Sequence, residues 1–160
     1  MTGFKNSKKG RKKGKNRSWA QKKTYDGIQF QSLLEVYCYR KLKEAGLVFD
    51  YEMTKFVLME GFVPTVPVWN SYRKIFKMRA TPVRPITYTP DFVAKAGNWV
   101  IETKGWKSEG FKFRWKLFLR YLRVRNLEIE CFMPSNKKEV DKVVNYLKEE
   151  YGEESNRSNG

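Results

Sequence analysis

The chain contains no histidine. That excludes Ser-His-Asp hydrolysis, histidine-based nuclease chemistry and His-ligated zinc. Acid–base work is left to carboxylates, lysine, tyrosine or metal-bound water. Cysteine is almost as scarce. Cys38 and Cys131 are far apart and form no CxxC pair, so neither a zinc site nor a disulfide framework is indicated. No run of about 18 apolar residues occurs, so no segment is expected to span a bilayer. The basic N-terminal stretch lacks the apolar core of a signal peptide, and a cytosolic chain is expected. Acids are few, with 17 Asp and Glu against 33 Lys and Arg, for a net charge of +16. Such an excess points to a polyanionic partner, nucleic acid first and an acidic membrane surface as the competing reading. A surface-bound basic helix with no core role, which the membrane reading needs, is not evident.

What is present suits one domain with a core of its own. The chain has 160 residues, of which 41% are hydrophobic, including 11 Phe, 9 Tyr and 5 Trp. Residues 1–23 hold ten Lys or Arg, no acid and three glycines, the composition of a flexible basic arm that follows phosphates or simply keeps the chain soluble. A folded domain is expected over 24–151, followed by a disordered tail over 152–160. Thr24–Phe30 alternates about an Asp26-Gly27 turn. Ser32 and Glu35 have the spacing of a capping box, which opens a helix that ends near Ala45 at Gly46. Its apolar stripe is Leu34, Tyr37, Cys38, Leu42 and Ala45. Strands are expected over Leu47–Met53, Lys55–Met59 and Phe62–Val68, the last two interrupted by Gly61, Pro64 and Pro67. Ser108 caps a helix over Glu109–Val124, Glu128–Met133 is a final strand, and Ser135 caps a last helix over Lys137–Tyr151. The last helix packs inward through Val140, Val143, Val144 and Leu147. This order gives an α/β or α+β fold, a central mixed β-sheet flanked by helices.

The most informative stretch is Thr87–Trp106, TYTPDFVAKAGNWVIETKGW. It reads as two short strands about a Gly97-Asn98 turn, with Pro90 and Asp91 in the first and Glu102 and Lys104 in the second. Residues two apart share a face, so Glu102 and Lys104 lie together. Pairing about the turn brings Asp91 alongside Glu102. Two converging carboxylates repel unless a cation sits between them, and hard oxygen ligands suit Mg²⁺. The bland alternative is a β-hairpin with solvated charges on its outer face.

Pro90-Asp91, ten residues, then Glu102-Thr103-Lys104 resembles the PD-(D/E)xK nuclease signature. Tyr88-Thr-Pro-Asp-Phe92 followed by Glu102-Thr-Lys-Gly105 is similar to phage endonuclease I, a Holliday-junction resolvase. Tyr25–Glu35 resembles a set of small phage resolvase-like nucleases with the same core. The resemblance covers roughly residues 22–120 and implies a restriction-endonuclease-like core. It also implies a Mg²⁺-dependent endonuclease, with Mn²⁺ able to substitute, acting on four-way junctions or other branched DNA. On that basis Asp91, Glu102 and the Thr103 carbonyl hold the metal, and Lys104 orients the attacking water or offsets developing charge. Glu35 becomes a further catalytic and metal-site acid. Read from the residues alone, Glu35 is equally a capping carboxylate, and a carboxylate folded back on its own cap is turned away from a metal. A non-catalytic DNA-binding protein and a restriction- or repair-like nuclease on the same core are the alternatives.

Three basic sets are candidates for DNA contact. Lys12, Lys13, Lys15 and Arg17 lie in the arm. Arg73, Lys74, Lys77 and Arg79 lie in the acid-free stretch from Gly61 to Pro90, interleaved with Trp69, Tyr72 and Phe76, a mixture that suits phosphates and bases. Lys112, Lys116 and Arg120 lie on the helix after the motif. In each set, solvated charge is the plain alternative. A symmetric homodimer is expected, with Phe62, Val63, Val66, Val68 and Trp69 as surplus apolar surface, unless these residues complete the monomer's core.

Overall fold

The computed structural model describes residues 23–66, 81–104 and 108–152. Two strands, β1 (Lys23–Tyr25) and β2 (Ile28–Phe30), form a hairpin whose turn residues Asp26 and Gly27 both have positive φ, 56° and 75°. That is the type I′ geometry that matches strand twist, and Gly27 adopts it without strain. Helix α1 (Leu33–Glu44) follows, with Ser32 Oγ accepting the Glu35 N–H. It ends as the Gly46 signal requires: Gly46 has φ 74°, its N–H donates to the Lys43 carbonyl, and Leu47 N–H donates to the Leu42 carbonyl.

Strands β3 (Phe49–Tyr51), β6 (Phe92–Ala94), β7 (Trp99–Ile101) and β8 (Glu130–Phe132) make the central sheet in the order β3-β6-β7-β8. The first two pairings are antiparallel and β7–β8 is parallel. A parallel pair needs a long crossover, and α2 (Glu109–Val124) supplies it. The expected α+β class, a mixed sheet flanked by helices, is observed. Strands β4 (Phe56–Met59) and β5 (Ile86–Tyr88) form a separate antiparallel ribbon, prolonged by a single bridge between Phe62 and Val83. The strand expected over Phe62–Val68 is therefore reduced to that bridge in its described part, while 67–68 lie outside the described residues. Pro64 explains the loss, because it has no N–H to give a ladder.

Side chains alternate across the central sheet. Phe92, Ala94, Trp99 and Ile101 face one way and join Cys38 and Leu42 of α1 with Val140, Val144 and Leu147 of α3 (Lys137–Tyr151). Val93 and Val100 face the other way and join Phe111, Phe118 and Leu122 of α2, with Tyr88 of the ribbon. The Glu109–Val124 and Lys137–Tyr151 helices have the bounds read from sequence. The cap of α3 differs: Asn136, not Ser135, is the N-cap, its Oδ1 accepting the Glu139 N–H at 3.1 Å. Ser135 instead donates its N–H and hydroxyl to the Glu139 carboxylate, one residue farther out in the same capping motif. The α1 stripe also differs. Its buried members are Glu35, Cys38, Tyr39 and Leu42, so a carboxylate occupies a core-facing position, while Tyr37 reaches across to Asp141 of α3. No described helix is long and apolar enough to cross a membrane.

Candidate functional site

Asp91 and Glu102 do not lie inside the strands expected for them. Thr89–Asp91 joins the ribbon to the central sheet, and Glu102–Lys104 follows the end of β7. Pro90, fully buried, cannot donate to a ladder, so β5 and β6 are separate strands. The register nevertheless holds beyond the strand ends. Phe92 pairs with Ile101, which sets Asp91 opposite Glu102 one step farther on. Glu102 and Lys104 continue alongside the chain after β8, their N–H groups donating to the Phe132 and Pro134 carbonyls. The pair of carboxylates thus sits where the two central strands run out.

Both are buried, Asp91 8% exposed and Glu102 3%. Thr103 donates its N–H and its hydroxyl to Asp91 Oδ2, each at 2.7 Å. Tyr88, itself buried, donates its hydroxyl to Glu102 Oε2 at 2.9 Å. Lys104 Nζ lies 3.2 Å from Glu102 Oε1 and 4.9 Å from the centre of the Phe111 ring at the start of α2. Glu102 and Lys104 therefore share a face, as their spacing requires. Burial, then the neighbouring Glu102 charge, pushes the Asp91 carboxyl up to about 8 against the Thr103 bonds that favour its ionised form. Glu102 is raised too, chiefly by burial, with Lys104 and Tyr88 pulling the other way.

Glu35 enters from α1 as a third buried carboxylate, 5% exposed. Its Oε2 accepts the Gln31 N–H and the Tyr51 hydroxyl, both at 2.7 Å. The capping role is thus real, although it falls on Gln31 rather than on Ser32. Glu35 is also close enough for its charge to raise Asp91 and Glu102. One oxygen anchors the helix entrance, and the carboxylate's charge still reaches the other two acids. Burial and the Glu35 charge hold the Tyr51 hydroxyl well above the ordinary tyrosine range; burial and Glu102 do the same for Tyr88. Both phenols therefore remain protonated donors. The thiol of Cys38 is likewise pushed up by burial, then by Asp91 and Glu35, which makes it an inert core residue.

Among the described residues, no three His, Cys, Asp or Glu side chains are gathered tightly enough to hold an ion as they stand. Glu35 is drawn toward Gln31 and Tyr51, and Lys104 occupies one oxygen of Glu102. The chemistry of the donors nonetheless fits a hard divalent cation. Three carboxylates are buried, and among the described residues only Glu102 has an ion-pair partner, Lys104. Asp91 Oδ1 and Glu35 Oε1 carry no hydrogen bond among the described residues.

Three residues at the site have no clear signal in the sequence reading. Tyr51 and Tyr88 each hold one carboxylate. Glu52 immediately follows β3, where its N–H donates to the Asp91 carbonyl at 2.9 Å. Tyr88 lies within the Tyr88–Phe92 motif and could have been suspected there. Tyr51 and Glu52 reach the site only through the β3–β6 pairing, which local sequence does not reveal.

Of the basic candidates, Lys112, Lys116 and Arg120 are exposed along α2. Lys112 is paired with Glu109 of its own helix at 2.6 Å. Lys12, Lys13, Lys15, Arg17, Arg73, Lys74, Lys77 and Arg79 lie outside the described residues. Phe62, Val63 and Val66 are exposed, at 51–62%, so they do not complete the described core. Val68 and Trp69 lie outside the described residues.

No curated protein and no solved structure matches the chain. One family model does, described as "Protein of unknown function (DUF1064)", over residues 15–139. That span includes Glu35, Glu52, Asp91, Glu102 and Lys104. With most of its length matched in this way, the chain belongs to the DUF1064 family.

Proposed function

We propose that this protein is a Mg²⁺-dependent DNA endonuclease, with branched DNA such as a four-way junction as its substrate. The observation that carries the reading is the set of three buried carboxylates, Glu35, Asp91 and Glu102, near enough for their charges to act on one another, of which only Glu102 is ion-paired among the described residues, with Lys104. Buried carboxylates without matching cations raise the free energy of the fold. Their usual compensation at a functional site is a bound cation. Asp91, Glu102 and the Thr103 carbonyl would hold the ion, and Glu35 would reach it after rotating from Gln31. Mg²⁺ there supplies Lewis acidity and lowers the pKa of bound water. Thr103 fixes the Asp91 carboxylate, and Tyr88 fixes that of Glu102. Lys104, released from Glu102, places an ammonium beside the phosphate, where negative charge develops during hydrolysis.

The net charge of +16 supports a polyanionic substrate, and the exposed Lys116 and Arg120 supply backbone contacts of the kind that carry no sequence information. The preference for junctions, a homodimer built through the exposed Phe62–Val66 segment, and action in the cytoplasm belong to the same proposal. Two strands at symmetry-related positions call for two sites. The test is to incubate pure protein with a four-way junction, a flap and a linear duplex, in Mg²⁺ or in EDTA. Mg²⁺-dependent cutting of the junction alone supports a resolvase. Cutting of all three means a broader nuclease on the same site, and binding without cutting overturns the catalytic reading.

A further inference from the structure

Helix α2 carries a different chemistry on each side. Phe111, Phe118 and Leu122 are buried against the central sheet and the ribbon. At about 100° per residue, Lys112, Lys116, Arg120 and Arg123 fall within roughly 80° of one another, about 140° round the helix from that apolar face. All four are exposed. Lys112 is held by Glu109, whereas Lys116, Arg120 and Arg123 have no ion-pair partner among the described residues. The plain reading is the solvated side of an amphipathic helix. The direction of the helix favours a more specific one.

Strands β7 and β8 are parallel, so the crossover helix between them runs back against both. Its first turn stands at the site end of the sheet, where the Phe111 ring lies 4.9 Å from Lys104 Nζ. From there the basic stripe runs away from the site for about 16 Å, from Lys112 to Arg123. That is close to half of the roughly 34 Å turn of B-DNA, enough to follow one exposed length of backbone. Three unpaired cations in line complement the phosphates of such a backbone. An acidic membrane fits less well. A surface helix sinks an apolar face into lipid, and the apolar face of α2 is already occupied by the core.

The stripe and the acidic site lie on different surfaces. The helix, about 10 Å thick with its side chains, stands between the stripe and the sheet whose end carries Asp91 and Glu102. A straight duplex lying on the stripe passes over that end rather than into it. B-DNA is stiff over about 150 base pairs, so it does not turn down within a few. A strand that leaves the duplex at a branch makes that turn without bending the duplex axis.

We propose that the outer face of α2, through Lys116, Arg120 and Arg123, binds a duplex arm of DNA and selects substrates whose strands part at the N-terminal end of the helix. The selection rests on the nuclease reading above; the duplex surface does not.

The test uses the full chain. Arg120→Gln/Arg123→Gln removes two charges of the stripe, and glutamine suits a helix as well as arginine. Lys138→Gln/Lys142→Gln removes two exposed, unpaired charges from α3, which packs on the other side of the sheet. Affinity for a fluorescent linear duplex is measured in EDTA by anisotropy over a range of salt. The stripe variant is expected to flatten the slope of log affinity against log salt by about 1.8, at roughly 0.9 for each phosphate no longer neutralised. The α3 variant is expected to keep the wild-type slope. An unchanged slope in the stripe variant, or an equal change in the α3 variant, overturns the surface. So does a loss seen only with vesicles of anionic phospholipid, which would make the face a membrane contact. In Mg²⁺, the stripe variant is expected to lose the wild type's preference for cutting a four-way junction over a linear duplex. A variant that keeps the preference, or a wild type that cuts both alike, overturns the selection. A wild type that binds duplex through the stripe but cuts no DNA supports the surface and overturns the nuclease reading, and the selection with it. Cutting by the wild type alongside an unchanged slope keeps the nuclease and overturns the surface.

Discussion

Replacing Asp91 with asparagine should make the metal-free protein more stable at alkaline pH while removing the proposed cleavage activity. Asp91 is held in the fold with its carboxyl pushed up from an ordinary 3.8 to about 8, first by burial and then by Glu102. The folded protein therefore keeps a proton that the unfolded chain releases between those values. Stability from that proton is fully present below about pH 4 and is lost as pH rises through about 8. At about 1.4 kcal/mol per pH unit, the gap of some four units sets a ceiling of about 5–6 kcal/mol. Relaxation, water entry and shared titration with Glu102 reduce this to roughly 2–3 kcal/mol at pH 8, consistent with the high effective dielectric of real sites. Asparagine does not titrate, and its carbonyl oxygen can still accept the two bonds from Thr103. The assay is thermal unfolding in EDTA across pH 5–8.5. At about 3 °C per kcal/mol for a domain of this size, Asp91→Asn should melt roughly 5–10 °C above wild type at pH 8, with the gap closing toward pH 5. Mg²⁺ should raise the wild-type midpoint by mass action and leave the variant unmoved. A variant less stable than wild type at pH 8, or a gap that ignores pH, would refute the claim that Asp91 is strained by burial among like charges.

The remaining expectations are briefer. Asp91→Asn and Glu102→Gln should abolish Mg²⁺-dependent cleavage and retain junction binding in gel-shift assays; residual metal-dependent cutting by either would displace the site. Lys104→Met should lower turnover far more than Mn²⁺ affinity, since its ammonium pairs with Glu102 Oε1 at 3.2 Å and competes with a cation there; weaker metal binding as its main effect would contradict that role. Tyr88→Phe leaves the buried Glu102 without one donor and should cost about 1–3 kcal/mol of stability near neutral pH, read from denaturant unfolding. Deleting residues 1–17, which carry Lys12, Lys13, Lys15 and Arg17, should weaken binding to every DNA shape. It should also flatten the salt dependence by roughly 0.9 in log–log slope for each phosphate no longer neutralised; an unchanged slope would remove the arm from the interface.

Local patterns determined much of this protein. The Asp26-Gly27 turn, the Gly46 stop and the bounds of α2 and α3 follow from backbone sterics and from apolar residues three and four apart, which act within a few residues. The pairing of Asp91 with Glu102 was legible for the same reason, because a short hairpin fixes its own register. Glu35 stood open between cap and site. Sequence could not decide it, because the two readings do not exclude each other: Oε2 meets Gln31 and Tyr51, and the buried carboxylate is still near enough for its charge to act on Asp91. Ser32 and Glu35 announced the cap, but only packing of α1 against the sheet made the acid a core residue. The part played by β3 was invisible. Phe49–Glu52 lies some forty residues before Asp91, and nothing in its composition selects β6 as its partner. Pairing between distant strands is chosen by the whole core at once, and it is this pairing that brings Tyr51 to Glu35 and the Glu52 N–H to the Asp91 carbonyl.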